Sequence, residues 1–506
     1  MMSDKKYRLH PVSAIINFVK GLKELIIPFI IIFVANGFNL SFNLREEGFW
    51  ANIVPLLIFT LISIIYLFSG IIKWWTYVYW FEDNELRITY GLFVKKKRFI
   101  PFDRIQSLNY KEGIFHRIFG LVQVIVETAG STDGKPEAIL TAITKEAANT
   151  IEYETRKVKQ TIHHEDEILI EEQEKKQQIN VIHKMSSKDL VILATTSNSI
   201  GVVLAGVAAV LTQLSEFIPY EWIFEELSEF VKYGFVVVTI TIFAAFFMAW
   251  LVSIAITFIN YYDFTVIEED ERLIVTRGLL EKKRITIPLN RIQAIKFVEN
   301  PFRQMFGYTA VVVESASGGF GKNDKQITLF PLISKKQAYK PLQQLLPQFE
   351  WTVTLTRPPK KARPFFYRID FIWLIPIIVI CSYFFSPLGL LSILLVIPVI
   401  LIRLWQYKTT GFAINGQQLT IVYRMFSRIT FIVEKNRIQA TECKQSLFQK
   451  RKNLASIQIT VMSGMAGATA KASNLKEQDA EVVMKWFERT TFELDVWENK
   501  NGYDNH

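Results

Sequence analysis

The stretch LRITYGLFVKKKRFIPFDRIQ, residues 86–106, occurs again as LIVTRGLLEKKRITIPLNRIQ at 273–293. A looser copy, LTIVYRMFSRITFIVEKNRIQ, lies at 419–439. The match has no gaps, and each copy ends on Arg-Ile-Gln: Arg104 with Gln106, Arg291 with Gln293, Arg437 with Gln439. Internal repetition on this scale decides the architecture before any single element is read. Downstream, IFHRIFGLVQVIVETAG, PFRQMFGYTAVVVESAS and LFQKRKNLASIQITVMS keep the alignment. Gly120 and Gly307 stand sixteen residues after the Arg, and Asn453 takes their place in the third copy. Gly and Asn best tolerate a left-handed backbone, so a turn with positive φ is expected there.

Alternation of apolar and polar residues, rich in β-branched side chains, predicts strands at 87–90, 98–101 and 123–128. Glycine-bearing turns at 129–135, 317–325 and 463–467 lead into further strands such as 138–143 and 326–331. Helical stretches at 145–158, 335–345 and 477–490 close the copies, with Thr144, Ser334 and Asn474 as expected N-caps. Each copy reads as a meander of short antiparallel strands with a helix packed on one end.

Of the 506 residues, half are hydrophobic, and the net charge is +10. Apolar runs at 25–44, 51–72, 190–215 and 233–262 are each long enough to cross a bilayer. The run 371–402 is too long for one span, and Ser386-Pro387-Leu388-Gly389 at its middle signals a turn. It reads as a hairpin of two short helices. Lys5, Lys6, Arg8, Lys20 and Lys23 precede the first run; Lys360, Lys361, Arg363, Arg368, Arg403 and Lys408 flank the last. The connection 212–232 instead carries five Glu against one Lys. Positive flanks face the cytoplasm. The expectation is six spans in three hairpins, with termini and all large loops inside. No small-residue cleavage site precedes the first run, so it reads as a retained segment. The spans hold no internal Asp, Glu, Lys, Arg or His, which argues against ion-driven transport.

Two basic clusters occupy equivalent places, Lys95, Lys96, Lys97 and Arg98 in the first copy and Lys282, Lys283 and Arg284 in the second. They are the candidate surface for anionic lipid or a partner. The competing reading is a solvated edge strand protected by Lys. Arg-Ile-Gln reads as structural: Ile in the core, Gln at a bend, Arg paired with an acid, with Glu127 and Glu314 as candidate partners. Gly318-Gly319-Phe320-Gly321-Lys322 lacks the spacing of a phosphate loop. Trp74, Trp75, Tyr77, Tyr79 and Trp80 read as an interfacial belt. Cys381 and Cys443 suggest neither a disulfide framework nor a metal site, and the six His show no ligand spacing. No catalytic set, cofactor motif or small-molecule substrate site is apparent. The basic residues lie mostly on membrane flanks, which argues against nucleic acid. The charged segment 159–188 reads as a solvated helix or linker.

A membrane hairpin, a strand, Gly-Leu, a basic strand, Pro-x-x-Arg-Ile-Gln, Phe-Gly and a strand ending Val-Glu-Thr-Ala-Gly resemble the bacterial pleckstrin-homology-like domain. Three such units in one chain resemble the YdbT-type membrane proteins of Gram-positive bacteria. The resemblance implies an α+β membrane protein. Three transmembrane hairpins (1–72, 189–262, 371–404) would each precede a PH-like antiparallel β split-barrel domain with a C-terminal helix (73–158, 263–350, 405–493). Linkers at 159–188 and 351–370 and a tail at 494–506 complete the chain. It further implies a non-enzymatic scaffold at the cell membrane, binding membrane lipids or a smaller membrane protein with a related domain. Resistance to membrane-active bacteriocins is the implied role; a transporter or an accessory subunit of an efflux system is the alternative. The third copy departs from the pattern: Arg424 replaces Gly91 and Gly278, Glu434 replaces Pro101 and Pro288, and Lys452-Asn453 replaces Phe-Gly. Its surface is expected to differ.

Overall fold

A computed structural model describes residues 6–35, 49–128, 136–163, 180–197, 205, 235–315, 326–384, 388–463 and 467–488. The expected turns at 129–135 and 317–325, most of the turn at 463–467, the loop 318–322, most of the run 190–215 and the connection 212–232 lie outside them. So do much of the charged linker and the tail.

The first copy contains β1 (Tyr7–Arg8), α1 (Val12–Ala35), α2 (Phe49–Thr76), β2 (Val78–Glu82), β3 (Glu85–Tyr90), β4 (Lys96–Pro101) and β5 (Ile105–Glu112). It continues with α3 (Ile114–Ile118), β6 (Leu121–Thr128), β7 (Ala138–Thr144) and α4 (Lys145–His163). The second copy contains β8 (Asn180–Lys184), α5 (Ser187–Thr195), α6 (Phe235–Tyr261), β9 (Thr265–Glu269), β10 (Arg272–Arg277), β11 (Lys282–Pro288) and β12 (Ile292–Glu299). Then follow α7 (Pro301–Met305), β13 (Tyr308–Ser315), β14 (Gln326–Ser334) and α8 (Lys335–Leu345). The third copy contains α9 (Pro364–Phe384), α10 (Val396–Thr409), β15 (Gly411–Asn415), β16 (Gln418–Arg424), β17 (Arg428–Glu434) and β18 (Ile438–Lys444). It ends with α11 (Leu447–Lys450), β19 (Leu454–Val461), β20 (Ala468–Lys476) and α12 (Glu477–Phe487).

Alternation explains the strands. In β3, Leu86 and Ile88 are buried while Arg87 and Thr89 are not. Leu86, Ile88 and Ile100 from the first strands and Phe102 from the turn after β4 meet Val124, Val126 and Leu140 from the later strands, and Ile151 of α4 closes the core. The same arrangement builds the third copy, where Phe431, Leu419 and Ile421 face Ile457, Ile459 and Ala470 under Val483 of α12. Burying these side chains contributes roughly 1.5–3 kcal/mol each. Tyr79 is only 2% exposed and Tyr77 packs against the same core. Of the residues expected in an interfacial belt, Tyr79 is therefore a core residue, with Tyr77 and Trp74 packed against that core, because β2 alternates inward at Tyr79 and Phe81.

The sheets do not respect the repeat boundaries. They run β1-β2-β3-β4, then β7-β6-β5-β11-β10-β9-β8, then β14-β13-β12-β17-β16-β15, then β18-β19-β20. The later strands of one copy thus carry the first strands of the next. By packing, the chain divides into two compact units, Met1–Leu289 with Phe320–Asn323, and Asn290–Gly319 with Asp324–His506.

Three helices, Ile53–Thr76, Phe243–Tyr261 and Gly389–Thr409, are long and apolar enough to cross a membrane. A fourth candidate is the pair Lys360–Arg368 and Ile372–Phe384, bent by 46°. The last apolar run forms two arms. Arg403 Nε and Nη2 donate to the two oxygens of Asp370 at 2.6 Å each. Gly389 lies so close to Cys381 that a Cβ would sit 2.0 Å from its carbonyl oxygen. Strands flank the membrane segments in the same way each time. Tyr7 pairs with Tyr79, Asn180 with Glu268, and Thr356 with Phe412. Residues before and after each apolar segment pair, by a ladder in the first two copies and by an isolated bridge in the third, so both ends of that segment lie together.

The helix caps differ in part from expectation. Thr144 Oγ1 accepts from Ala147 N at 3.2 Å. Ser334 occupies the N-cap of α8 without a side-chain bond. Asn474 is not a cap: Lys476 is, and Asn474 sits at φ +56° accepting from Gln449 Nε2 at 2.6 Å.

Candidate membrane-facing surface

The β3–β4 hairpin turns at Gly91, whose φ is +104° and whose Cβ would lie 2.2 Å from the Val94 carbonyl oxygen. Only Gly fits such a turn. Gly91 N also donates to Thr76 Oγ1 at 3.3 Å, tying the turn to the last residue of α2. The residues that follow point outward: Leu92 is 42% exposed, Phe93 95% and Val94 70%. The second copy repeats this, with Gly278 N bonded to Tyr262 O at 2.9 Å, Leu279 N to Ile259 O at 2.8 Å, and Leu280 exposed. In the third, Gln406 Nε2 of α10 donates to Met425 O at 2.9 Å. Arg424 lies 3.7 Å from the Trp405 ring centroid, and Met425 and Phe426 are exposed. Every hairpin tip is thus fastened to the end of the membrane helix before it.

A second apolar element recurs in the short helices. Ile114, Phe115, Ile118 and Phe119 are exposed around α3; Phe302, Met305 and Phe306 around α7; Leu447 and Phe448 on α11. Asn300 Oδ1 caps α7 by accepting from Arg303 N at 2.7 Å, and Ser446 with Gln449 forms a capping box on α11. Each helix is stopped by a left-handed residue, Gly120 at φ +65°, Gly307 at +70° and Asn453 at +49°. Arg117 Nη1 donates to Leu279 O at 2.6 Å, so α3 adjoins the hairpin tip of the next copy. Arg424 likewise donates to Gln304 of α7. Exposed apolar clusters rimmed by Arg and Lys mark interaction sites. Our sequence reading did not single these helices out. The signal was there, as IFHRIF, PFRQMF and LFQKRK at one aligned position.

The two basic clusters differ in their use. Lys95, Lys96 and Lys97 are exposed and make no ion pair among the described residues. Arg98 bonds to the carbonyl oxygen of Glu137 and lies 3.4 Å from its carboxylate. In the second copy β11 is paired with β5. Arg284 lies 3.5 Å from Glu152 and 5.3 Å from the Tyr110 ring centroid, and Lys283 lies 3.5 Å from Glu281. Lys282, also exposed, faces Glu112 across the ladder.

The Arg of Arg-Ile-Gln ends a 3-10 turn in every copy, and Ile-Gln begins the next strand. Ile105, Ile292 and Ile438 are buried. Gln106, Gln293 and Gln439 each fall in a break of strand register, between Ile105 and Ser107, Ile292 and Ala294, and Ile438 and Ala440. Such a bulge re-aims the strand. Gln293 Nε2 donates to Arg291 O at 3.2 Å, and Arg437 lies 4.0 Å from Glu434. Arg104 is exposed. The carboxylates expected to hold Arg instead turn inward. Glu127 accepts from Ser107 Oγ at 2.6 Å, and Glu314 lies 2.5 Å from Lys296. Burial pushes Glu127 up to about 7, against the lowering effect of hydrogen bonds from Ser107 and Asn109.

Two cavities open beside the membrane ends. One, of about 510 Å³, is largely apolar and lies in the first copy among Leu9, Ile72, Tyr77, Tyr90 and Ile139. The other, of about 1260 Å³, lies in the third copy and is lined by Arg403, Arg424, Lys444, Lys471, Gln449 and Gln458. Its cations, Arg403, Arg424, Lys444 and Lys471, stand beside the apolar Phe365, Phe366, Met425 and Phe426. Among the described residues no group of His, Cys, Asp or Glu could hold a metal ion.

The model of the bacterial PH domain matches residues 27–159, 190–348 and 370–491. The chain belongs to the bacterial PH domain family. Each match takes in residues of the apolar segment as well as the strands, so the bacterial PH unit here is membrane segment and β-domain together. The UPF0699 transmembrane protein YdbT of Bacillus subtilis strain 168 is 35% identical over 500 residues, covering 96% of this chain and 99% of that relative. No solved structure matches the chain.

Proposed function

We propose that this chain is a non-enzymatic scaffold at the inner face of a bacterial plasma membrane, whose bacterial PH domains hold the headgroup layer beneath them. One observation carries the reading. Exposed Phe, Leu, Val and Met recur at hairpin tips bonded to the ends of the membrane helices, with Lys and Arg beside them. Apolar side chains at that level enter the acyl boundary, while each nearby cation gains about 1 kcal/mol from anionic lipid. The Lys and Arg that flank the apolar runs support a cytoplasmic side for these domains in this reading. The cationic cleft of the third copy would take an anionic headgroup.

The test uses the full-length chain, with Cys381→Ser and Cys443→Ser, in vesicles containing brominated lipid. A fluorophore at Phe93→Cys or Phe306→Cys is expected to be quenched, and more so with more anionic lipid. A fluorophore at Asp83→Cys, in the opposite turn of the sheet, is expected to stay bright. Equal emission at the three positions would sink the proposal. Protection against membrane-active bacteriocins extends this reading through the family resemblance, and a deletion strain of unchanged sensitivity to such peptides would remove it.

A further inference from the structure

The chain makes one joint twice. In the first, Glu112, eight residues after Arg104, faces Lys282, nine before Arg291. In the second, Glu299, eight after Arg291, faces Arg428, nine before Arg437. The register is identical, and both joints are reinforced beside the strands, by Arg117 on Leu279 O and by Arg424 on Gln304.

Each end of the series is left with half a joint. Among the described residues, β4 has no partner on its outer edge, and neither does β18. Their equivalents are covered: β5 and β12 are buried along most of their length, whereas all of β18 after Ile438 is exposed except the half-buried Thr441. The first two residues of β4, Lys96 and Lys97, are exposed too. Unpaired edges of this kind are templates for a further strand.

The two halves fit in charge. The β4 side presents Lys95, Lys96, Lys97 and Arg98. The β18 side presents Glu442, and partial burial, with Glu477 and Glu481 of α12 adding to it, pushes the Cys443 thiol up. By the internal register Arg98 would face Glu442, Lys97 would face Cys443 and Lys95 would face Gln445. Gln445 Nε2 is bonded to Glu477 at 2.9 Å, which places a carboxylate where the internal joints use Glu112 and Glu299. Lys96 would face Lys444, a like-charge pair with a precedent: Lys111 faces Lys283 in the first joint, with Glu281 within 2.8 and 3.5 Å of the two. Glu442, 3.0 Å from Lys444, can do the same.

We propose that β4 of one chain adds to β18 of a second copy, continuing head to tail the joint that the chain makes within itself. Such a contact is heterologous, so repetition gives a ring or an open row. Neighbouring strands lie about 5 Å apart, which brings facing residues within disulfide reach.

The full-length chain is tested in native membranes as Lys97→Cys with Cys381→Ser, retaining Cys443. Mild oxidation is expected to give a ladder of disulfide-linked multimers, lost with Cys443→Ser. Co-expressing a chain with only Lys97→Cys and a chain with only Cys443 is expected to stop at the pair. Arg98→Glu is expected to abolish the ladder, and Glu442→Arg added to it to restore one. Monomers alone at every oxidation level would overturn the proposal. A single adduct with a smaller protein carrying a related domain would overturn the choice of a second copy as occupant.

Discussion

Glu127 shows how one side chain couples the fold to pH. It is 4% exposed, and burial raises its pKa from 4.5 to about 7. Its neutral form is thus favoured in the folded state. The stability it contributes is fully present below about 4.5 and is lost as pH rises through about 7, a change on the order of 3 kcal/mol. Glu127→Gln keeps an acceptor for Ser107 and cannot ionise. The variant is expected to be more stable than the natural chain at pH 8 and to lack this part of the pH dependence. Thermal unfolding in detergent at pH 5 and pH 8 checks this, and an unchanged difference between the two proteins at both values would contradict it. At the same scale, Gly91 and Gly278 turn their hairpins at φ values of +104° and +109°. Arg424 lacks that freedom, so β16 runs on and pairs Arg424 with Arg428 before turning.

At the scale of elements, the third membrane hairpin is closed at its mouth by Asp370 and Arg403 in two-point contact. Both are partly exposed, with side chains 22% and 36% accessible, so solvent weakens the pair. Asp370→Asn is expected to cost about 1 kcal/mol. Asp370→Arg is expected to cost more by like-charge repulsion, and Arg403→Asp added to it to recover most of the loss. Thermal unfolding of the full chain in nanodiscs measures all three; a double variant as unstable as Asp370→Arg alone would rule the pair out as a clasp. Hydropathy and the Ser-Pro-Leu-Gly turn signal were enough to expect the hairpin. Arg403 read only as a flanking residue and Asp370 was not singled out, because thirty-three positions separate them and sequence spacing does not report contact across a hairpin.

For the whole molecule, strands, helices and the three-fold repeat were legible because periodicity two and long apolar runs are local signals. The sharing of sheets between copies was not. An edge strand bonds through its backbone, which every residue but Pro provides alike, so side-chain patterns do not say which edge meets which. For the same reason the two basic clusters looked equivalent. One lies on an open edge and the other inside a joint, and the difference is position in the series rather than sequence. The exposed apolar helices were missed because their composition imitates core.

By itself, the sequence determined what each segment becomes: apolar runs that belong in lipid, and β-domains with inward-facing Leu, Ile and Val. Those outcomes follow from hydrophobicity and backbone preference acting over a few residues. Only the tertiary structure decided that Glu127 turns inward, that Phe93 and Phe306 stay outside, and that β5 and β12 are covered while β18 is not. Those outcomes depend on which surfaces, distant along the chain, reach one another first-hand in space.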